Sequence, residues 1–317
     1  MCKINVEKIN LAYENISEVV RHTPLLSSKQ LSIKCENDVY LKSEHLQMTG
    51  SFKIRGAYNM VKEAVKNGAQ YITTASSGNH GQAVAYAASL FKVRAVIVVP
   101  RTVAMCKQEA IRSYQGEVVV CGTTSEERIL KAKMLAAEHD GIFIPPYDDP
   151  LIIAGQGTVG LEIIEDLADV DAIIVPIGGG GLVSGVLLAI KENYPHVKII
   201  GVEPELAQDT YLSLKENVRI GIETSDTIAD GLRTTIPGAL TFPILQKYLD
   251  EIVLVTENEI RMAFTFVLER MKQMIEPSSA TTIAALMFGK IKLKNKKIVC
   301  IISGGNVDVN KISQLLK

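Results

Sequence analysis

Tryptophan is absent from the 317-residue chain, and aromatic residues make up only 5% of it. A chain with so few aromatic rings has few platforms on which unpaired bases could stack. An excess of charge is also missing, because 34 Lys and Arg residues stand against 35 Asp and Glu residues. Such a balance leaves no basic surplus for a phosphate backbone or an anionic lipid surface. We therefore expect neither nucleic acid nor a membrane as a partner.

The cysteines show no pattern typical of disulfides or of zinc. There are five of them, an odd number, and the sequence contains no CxxC pair and no Cys/His cluster at zinc spacing. The first ten residues, MCKINVEKIN, also lack the apolar segment of a secretory signal. These observations predict reduced cysteines and a cytoplasmic location.

A long uninterrupted hydrophobic run is missing too. Residues 172–190 carry no charge and approach the roughly 20 residues of a membrane helix. Pro176 and the four glycines Gly178 to Gly181 interrupt this stretch. A helix in lipid must satisfy all of its backbone groups internally, which such an interruption prevents. We interpret the stretch as a buried strand, a glycine loop and the start of a helix.

Short apolar runs, rich in β-branched residues, alternate with amphipathic helical segments. The runs are YITTA (71–75), AVIVVP (95–100), EVVVCG (117–122), AIIVPI (172–177), VKIIGV (197–202), EIVLV (251–255) and KIVCII (297–302). Strands that are apolar on both faces and alternate with helices are typical of parallel sheets in doubly wound α/β folds. Composition changes at residues 67–69 and at Pro145, Pro146 and Pro150 indicate a compact unit inserted in a larger domain.

The glycines Gly178 to Gly181 follow one of these runs and precede a helical pattern. Free backbone N–H groups at a helix start suit a phosphate group, so we expect a phosphate-bearing ligand here. The alternative is a tight turn that needs positive φ. The spacing fits neither a Walker loop nor a dinucleotide fingerprint. Because Glu203 ends the next strand, where a ribose-binding acid would lie, a nicotinamide-dependent oxidoreductase stays open.

Three further motifs carry groups suited to catalysis. In TGSFKIRG (49–56), Lys53 stands at the start of a helical pattern, where apolar neighbours disfavour its ammonium form and favour Schiff-base chemistry. In SSGNHG (76–81), hydroxyl, amide and N–H groups converge at a helix start and suit a substrate carboxylate. SGGN (303–306) follows the last strand, at the sheet edge where ligands bind. The alternatives are a solvated lysine, an N-cap by one of the two serines, and a simple turn.

Together, SFKIRGA with Lys53, SSGNHGQA with Asn79, GGGGLVSG and SGGN with Ser303 resemble the fold type II pyridoxal-phosphate enzymes. Within them, the chain is similar to the threonine/serine dehydratase and serine racemase family. The resemblance extends to the stretches IAGQGT (153–158), EPELAQD (203–209) and MIEPSSA (274–280).

The resemblance also implies an α/β architecture of the tryptophan synthase beta type. It consists of two doubly wound, parallel or mixed sheets, with a small domain inserted in a large one. We therefore expect residues 1–66 and 149–317 to form the large domain, which binds pyridoxal phosphate, and residues 67–148 to form the small domain.

The resemblance assigns a role to each motif. Lys53 would bind the cofactor covalently and act as the base that removes the substrate's Cα proton. The cofactor would also be held by Phe52, Asn79, Gly178, Gly179, Gly180, Gly181, Leu182 and Ser303. The substrate carboxylate would lie on Ser76, Ser77, Gly78, Asn79 and His80. A serine hydroxyl facing the pyridine nitrogen cannot keep that nitrogen protonated, which favours β-elimination over transamination.

The implied reaction is the dehydration and deamination of L-threonine and L-serine to 2-oxobutanoate or pyruvate plus ammonia. Ser77 brings in a second reaction, since serine racemases use the second serine of SSGNH as the acid or base opposite the lysine. Many threonine dehydratases carry SAGNH instead, although some also have SSGNH. The stretch PYDD (146–149) is more similar to the dehydratases. A dedicated serine racemase with side dehydratase activity is the alternative within the family.

By resemblance, EPELAQD is a divalent-cation site. Glu203 and Asp209 would supply carboxylates and Ala207 a backbone carbonyl, which are hard ligands for Mg²⁺, or else Ca²⁺ or Mn²⁺. The alternative is a solvated acidic loop. The resemblance also implies a homodimer or homotetramer and leaves a nucleotide effector open. Outside the family, the alternatives are the nicotinamide-dependent oxidoreductase and a phosphate-binding module without catalysis.

Overall fold

The computed structural model of the chain describes residues 4–76, 78–103, 105–223 and 225–316. Within these ranges the strands are β1 (Leu25–Ser27), β2 (Asp38–Ser43), β3 (Tyr71–Ala75), β4 (Arg94–Val99), β5 (Glu117–Val120), β6 (Ile142–Phe143), β7 (Ala172–Pro176), β8 (Lys198–Pro204), β9 (Glu251–Val255) and β10 (Lys297–Ile302). The α-helices are α1 (Val6–Ile16), α2 (Lys29–Cys35), α3 (Lys53–Lys66), α4 (Asn79–Leu90), α5 (Met105–Ser113), α6 (Ser125–Glu138), α7 (Pro150–Asp166), α8 (Gly181–Ile190), α9 (Asp209–Glu216), α10 (Thr241–Tyr248), α11 (Glu257–Phe266), α12 (Pro277–Met287) and α13 (Ile312–Leu315).

The strands form two sheets. The larger sheet has six strands in the order β1-β2-β10-β7-β8-β9, and the smaller has four in the order β5-β4-β3-β6. In both sheets the described pairs are parallel, except for the antiparallel pair of β1 and β2. The predicted α/β class with parallel or mixed sheets is confirmed. The strands of the smaller sheet are consecutive in the chain, whereas the domain boundaries after residues 66 and 148 stay a prediction.

All seven apolar runs named from the sequence form strands, and three further strands were not predicted. Two of these, β1 and β6, have only three and two residues. The third, β2, has the sequence DVYLKS, in which charged residues mask the apolar character of a strand. Its Lys42 is nevertheless fully buried, because the ammonium group pairs with Glu162 at 2.7 Å. Local sequence patterns could not predict this strand, because the partner that lets Lys42 be buried lies far away in the sequence.

Residues 172–190 form β7, the glycine loop and α8, as the sequence predicts. Every residue of β7 is buried, and nine of the ten residues of α8 are buried too. Among the helices that the structure describes, none combines the length and apolar character needed to cross a membrane.

The six-stranded sheet is covered by helices on both faces. On β10, Ile298, Cys300 and Ile302 join a core formed with α11 and α12, whereas Val299 and Ile301 join a core formed with α7 and α8. Successive side chains of a strand point to opposite faces, so one strand contributes to both cores. This two-sided burial explains why the run KIVCII shows no polar alternation.

Helix α7 packs against both α3 and α8 through glycines. A Cβ atom on Gly155 would lie 2.6 Å from the Cα of Gly56 on α3. A Cβ atom on Gly185 of α8 would lie 2.4 Å from the backbone nitrogen of Gly157. The backbones approach so closely that only glycine fits. Helix α7 therefore fixes α3, which begins at Lys53, relative to α8, which begins at the glycine loop.

A buried network of charges reinforces this arrangement. The Arg55 guanidinium is fully buried, with Nε 2.7 Å from Oε2 of Glu44 and Nη1 2.6 Å from Oε1 of Glu162. Glu162 on α7 also accepts the ammonium group of Lys42. The network thus ties β2 and the turn that follows it to α3 and α7.

Replacing Arg55 by leucine is expected to destabilise the protein by about 3–5 kcal/mol, because Glu44 would remain buried without a cation and Glu162 would keep only Lys42. Urea denaturation followed by circular dichroism measures this change. Arg94→Leu is the matched control, since Arg94 forms an equally short pair with Glu117 at 2.7 Å on the surface and surface pairs contribute little. If Arg55→Leu and Arg94→Leu lower the free energy of unfolding by the same amount, the buried network contributes no more to stability than a surface ion pair does.

Candidate active site

The glycine loop connects the end of β7 to the start of α8, at the carboxyl edge of the larger sheet. Gly180 has a φ of +87°, in the left-handed region. A Cβ atom on Gly179 would lie 2.4 Å from the ring of Tyr147, and one on Gly181 would lie 2.9 Å from the Cβ of Tyr147. Leu182 follows in the first turn of α8 and is buried. Close approach or conformation thus requires glycine at positions 179, 180 and 181, and the loop leads into a helix N-terminus suited to an anion.

Lys53 is the first residue of α3, directly after Phe52. Its Nζ donates a hydrogen bond to the carbonyl oxygen of Pro146 at 2.8 Å and lies 5.2 Å from the centroid of the Phe52 ring. Burial lowers the pKa of Lys53 to about 8, an effect that the charge of Glu276 opposes. The ammonium form of Lys53 is therefore disfavoured relative to that of an ordinary lysine, as predicted from the sequence.

Asn79, at the start of α4, joins a chain of hydrogen bonds. Its Nδ2 lies 3.0 Å from each carboxylate oxygen of Glu276, and its Oδ1 accepts a hydrogen bond of 2.9 Å from Asn306. Burial raises the pKa of Glu276 to about 7, and the charge of Asp230 adds to this effect. No role was predicted for Glu276 from the sequence. Its position could have been noticed in the stretch MIEPSSA, because Glu276 is the acidic residue directly before α12.

Ser303 lies at the end of β10 among neutral hydroxyl and backbone groups. Its Oγ is 3.1 Å from Oγ of Ser279, which also accepts a hydrogen bond from the backbone N–H of Gly304 at 2.8 Å. The Ser303 carbonyl accepts the backbone N–H of Phe52 at 3.0 Å. This last bond joins the SGGN motif directly to the segment that carries Lys53.

The predicted substrate-binding residues lie in the loop between β3 and α4 and in the first turn of α4. Ser76 Oγ accepts a hydrogen bond from the backbone N–H of Gly78 at 3.3 Å. The N-cap of α4 is Gly78, without a side-chain cap, so the alternative of an N-cap by Ser76 is wrong. Ser77 lies outside the described residues, and its predicted roles remain predictions.

His80 is buried beneath this loop. Its Nε2 lies 3.2 Å from the carbonyl oxygen of Ile144, and its Nδ1 has no hydrogen-bond partner among the described residues. Burial and the nearby charge of Lys53 lower the pKa of His80 to about 3. The imidazole is therefore neutral at physiological pH.

The four motifs meet at one place. Asn306 of SGGN contacts Asn79, and the backbone of Ser303 bonds to Phe52. Pro146 and the adjacent Tyr147 connect the glycine loop to Lys53. The structure therefore brings together an amine with a lowered pKa, a glycine cradle at a helix start, and an amide network around Glu276. Such a combination suits covalent chemistry on a small phosphate-bearing cofactor.

The predicted metal ligands form a second group of polar residues. Glu203 in β8 and Asp209 at the start of α9 are both fully buried, and Ala207 lies in the short turn between them. The Glu203 carboxylate accepts backbone N–H groups of Thr210 at 3.1 Å and Tyr211 at 2.8 Å. The alternative of a solvated acidic loop is therefore wrong.

Burial changes the electrostatics of these two carboxyl groups. Burial, together with the charge of Asp209, raises the pKa of Glu203 well above its usual range. Burial also raises the pKa of Asp209 to about 6, against hydrogen bonds that lower it. Two neighbouring buried carboxylates are costly unless a cation or a proton compensates them.

The chain is similar to a protein family and to several known proteins. A family model for pyridoxal-phosphate dependent enzymes matches residues 16–304. The chain is 43% identical to an L-threonine ammonia-lyase of Thermotoga maritima over 317 residues, covering 99% of this chain and 78% of that protein. It is also 43% identical to a serine racemase of Dictyostelium discoideum over 325 residues, covering 100% of this chain and 99% of that protein.

Among solved structures, maize serine racemase aligns with a TM-score of 0.94 at 36% identity, covering 98% of this chain and 96% of that one. The family match spans the chain from Lys53 to Ser303 and ends within the SGGN motif. Because relatives of two activities share the same identity with this chain, sequence similarity favours neither activity over the other. With this family match and with its two mainly parallel sheets, the chain belongs to the pyridoxal-phosphate-dependent enzymes of fold type II.

Proposed function

We propose that the protein converts L-threonine and L-serine to 2-oxobutanoate or pyruvate plus ammonia with pyridoxal phosphate, and that it racemises serine through Lys53 and Ser77. The observation that carries this proposal is the amine of Lys53, with its pKa lowered to about 8, beside the hydrogen-bonded group of Asn79 and Glu276. The names of the two curated relatives support both reactions. A dedicated serine racemase with side dehydratase activity is the second candidate, and family membership favours either over a nicotinamide-dependent oxidoreductase.

The residues of the site fit pyridoxal phosphate. The glycine loop leads into the start of α8, where backbone N–H groups suit a phosphate group, and Tyr147 and Thr241 pack against the loop. Phe52 lies beside Lys53 and offers an apolar face to an aromatic ring. Asn79 offers an amide to a ring hydroxyl, and Ser303 offers a hydroxyl to a ring nitrogen. We assign these residues, with Leu182 behind the loop, to the cofactor.

When bound, pyridoxal phosphate withdraws electrons from the substrate's Cα, so that the Cα proton and a β-hydroxyl group can leave. Lys53 would hold the cofactor through its aldehyde carbon, and its neutral amine would accept the Cα proton of the substrate. The lowered pKa of Lys53 suits both tasks. Ser303 would offer the ring nitrogen one hydrogen bond and no charge.

The start of α4 receives the substrate carboxylate in this assignment. The residues from Ser76 to His80 lead into α4, whose N-cap Gly78 has no side-chain cap, and N–H groups in the first turn of a helix suit a carboxylate. Asn79, the first residue of α4, offers its side chain at the same helix start. Because the pKa of His80 is lowered to about 3, its imidazole is too weak a base to compete with Lys53 for the proton. We assign Ser77 as the acid or base on the face opposite Lys53.

Replacing Lys53 by alanine is expected to reduce 2-oxo acid formation from L-threonine about 100-fold or more, because the base and the covalent anchor are lost. Borohydride reduction of the wild-type holoenzyme should label Lys53, as peptide mapping would reveal. Lys66→Ala is the control, since Lys66 is exposed on the same helix. Full activity of the Lys53 variant would rule out the proposed mechanism.

Separate measurement of D-serine and pyruvate from L-serine distinguishes the two reactions. For Ser77→Ala we expect D-serine formation to fall about 100-fold, while pyruvate formation is largely retained, because racemisation needs a proton donor on the second face. If the wild-type enzyme makes no D-serine, the racemase part of the proposal is wrong. If both products fall together, Ser77 is needed for both reactions, and its assignment to racemisation alone is wrong.

We further propose that Glu203, Asp209 and the backbone carbonyl of Ala207 bind a divalent cation, with Mg²⁺ expected and Ca²⁺ or Mn²⁺ as alternatives. Hard oxygen ligands suit these ions. The raised pKa values of the two buried carboxyl groups support the proposal, because a cation would remove the electrostatic cost that raises them. By family resemblance we also infer a homodimer or homotetramer in the cytoplasm.

Mg²⁺ is expected to raise the melting temperature by about 2 °C or more at pH 8, and by less at pH 5. A carboxyl group whose pKa is raised in the folded state stabilises the fold at low pH, and this contribution disappears as the pH rises through the folded pKa. For Asp209 that value is about 6, so the cation replaces protons above pH 6.

Glu203→Gln should abolish the Mg²⁺ effect on the melting temperature. Glu205→Gln should preserve it, since Glu205 is an exposed acid in the same turn. Melting temperatures measured in the same way with Ca²⁺ and with Mn²⁺ show which ion stabilises the protein most. A wild-type melting temperature that is the same with EDTA and with Mg²⁺ at pH 8 would contradict the cation site.

A further inference from the structure

The segment Pro146, Tyr147 and Asp148 precedes α7, and each of its residues contacts a different part of the site. The carbonyl of Pro146 accepts the hydrogen bond from Lys53, and the ring of Tyr147 lies against Gly179. The third residue, Asp148, contacts neither Lys53 nor Gly179 but the start of α10. We refer to these three residues as the linking segment.

Asp148 caps a helix from which it is distant in sequence. Its Oδ2 accepts the backbone N–H of Ala239 at 2.8 Å, and its Oδ1 accepts those of Leu240 at 2.8 Å and Thr241 at 3.3 Å. These groups form the start of α10, which has no side-chain cap of its own. A carboxylate in this position satisfies free N–H groups and opposes the positive end of the helix. A Cβ atom on Gly238 would lie only 2.4 Å from Oδ1, so the carboxylate is tightly enclosed.

The first residue of α10 contacts the glycine loop in turn. Thr241 Oγ1 donates a hydrogen bond to the carbonyl oxygen of Gly179 at 2.8 Å. A Cβ atom on Gly180 would lie 2.8 Å from the same Oγ1. The loop is therefore confined between Thr241 on one side and Tyr147 on the other, and the linking segment supports both.

We propose that Asp148 is a positioning residue for the phosphate end of the cofactor, acting through Thr241 on the glycine loop. The inference rests on the assignment of that loop to the phosphate of pyridoxal phosphate. With its carbonyl fixed by Thr241, Gly179 cannot rotate its peptide plane, so the N–H groups that follow keep one orientation. Preorganised donors bind an anion without the cost of ordering them. Since Pro146 contacts Lys53, the linking segment also sets the distance between the phosphate anchor and the amine anchor.

The test compares two ligands that differ only in the phosphate group. Apoprotein is titrated with pyridoxal phosphate and with pyridoxal, and binding is followed by absorbance of the yellow complex. For Asp148→Ala we expect the dissociation constant of pyridoxal phosphate to rise about tenfold or more, and that of pyridoxal to stay within about twofold. Asp148→Asn, which keeps one acceptor oxygen, should show a smaller rise.

Asp149→Ala is the matched control. Asp149 caps the next helix, α7, by accepting the N–H of Leu151 at 2.8 Å, and it lies beside Asp148 in sequence. Its loss should lower the melting temperature but leave both dissociation constants near wild-type values. If Asp148→Ala weakens both ligands equally, or weakens neither, the proposal is overturned. If the wild-type protein binds neither ligand at Lys53, the proposed function fails instead.

A double-mutant cycle tests the route through α10. Thr241→Val removes the hydrogen bond to Gly179 while keeping the size of the side chain. If Asp148 acts through Thr241, the double variant should bind pyridoxal phosphate about as weakly as the weaker single variant. A dissociation constant that rises by the product of the two single effects would show independent action and would contradict the route. Far-UV circular dichroism of all variants confirms that the fold is retained.

Discussion

The close packing of α3 and α8 on α7 is the constraint on which the site depends. Glycine meets glycine at both contacts, Gly56 with Gly155 and Gly157 with Gly185. No side chain separates the backbones, so the relative position of the helices cannot be adjusted by rotamer changes. Helix α3 begins at the reactive amine, and α8 begins at the anion-binding loop. The stretch IAGQGT, which contains two of these glycines, thus determines how far apart Lys53 and the glycine loop, the two proposed anchors of the cofactor, lie.

The buried charges around Arg55 serve the same arrangement in a different way. Hydrophobic contacts alone would let α3 slide along α7, whereas the guanidinium group must meet Glu44 and Glu162 at fixed geometry. Burial lowers the pKa of Arg55, but the two carboxylates more than reverse this effect. Arg55 lies two residues after Lys53, so the network fixes the first turn of the helix that carries the amine. Stability and catalytic geometry are therefore linked through one short segment.

The sequence predicted what local patterns encode. Apolar runs such as KIVCII gave the buried strands, and the position of Lys53 at a helix start gave both its location and the direction of its pKa shift. Contacts between distant segments could not be predicted. Asp148 caps a helix whose first residue is Thr241, and Glu276 bonds to Asn79; no periodicity or spacing reveals either pair. Strand β2 was missed for the same reason, because its buried Lys42 pairs with Glu162 on α7.

Burial acts on three titratable groups of the site and moves each towards its neutral form. It lowers the pKa of Lys53 to about 8 and that of His80 to about 3, and it raises that of Glu276 to about 7. In the proposed assignment, Ser303 likewise adds no charge at the ring nitrogen. With such a site, the ring of the bound cofactor would take up little of the electron density released at Cα, so loss of a β-hydroxyl group or return of a proton would have to follow quickly. If the protein carries out both proposed reactions, the balance between them would be decided on the face opposite Lys53, where Ser77 is the proposed acid or base.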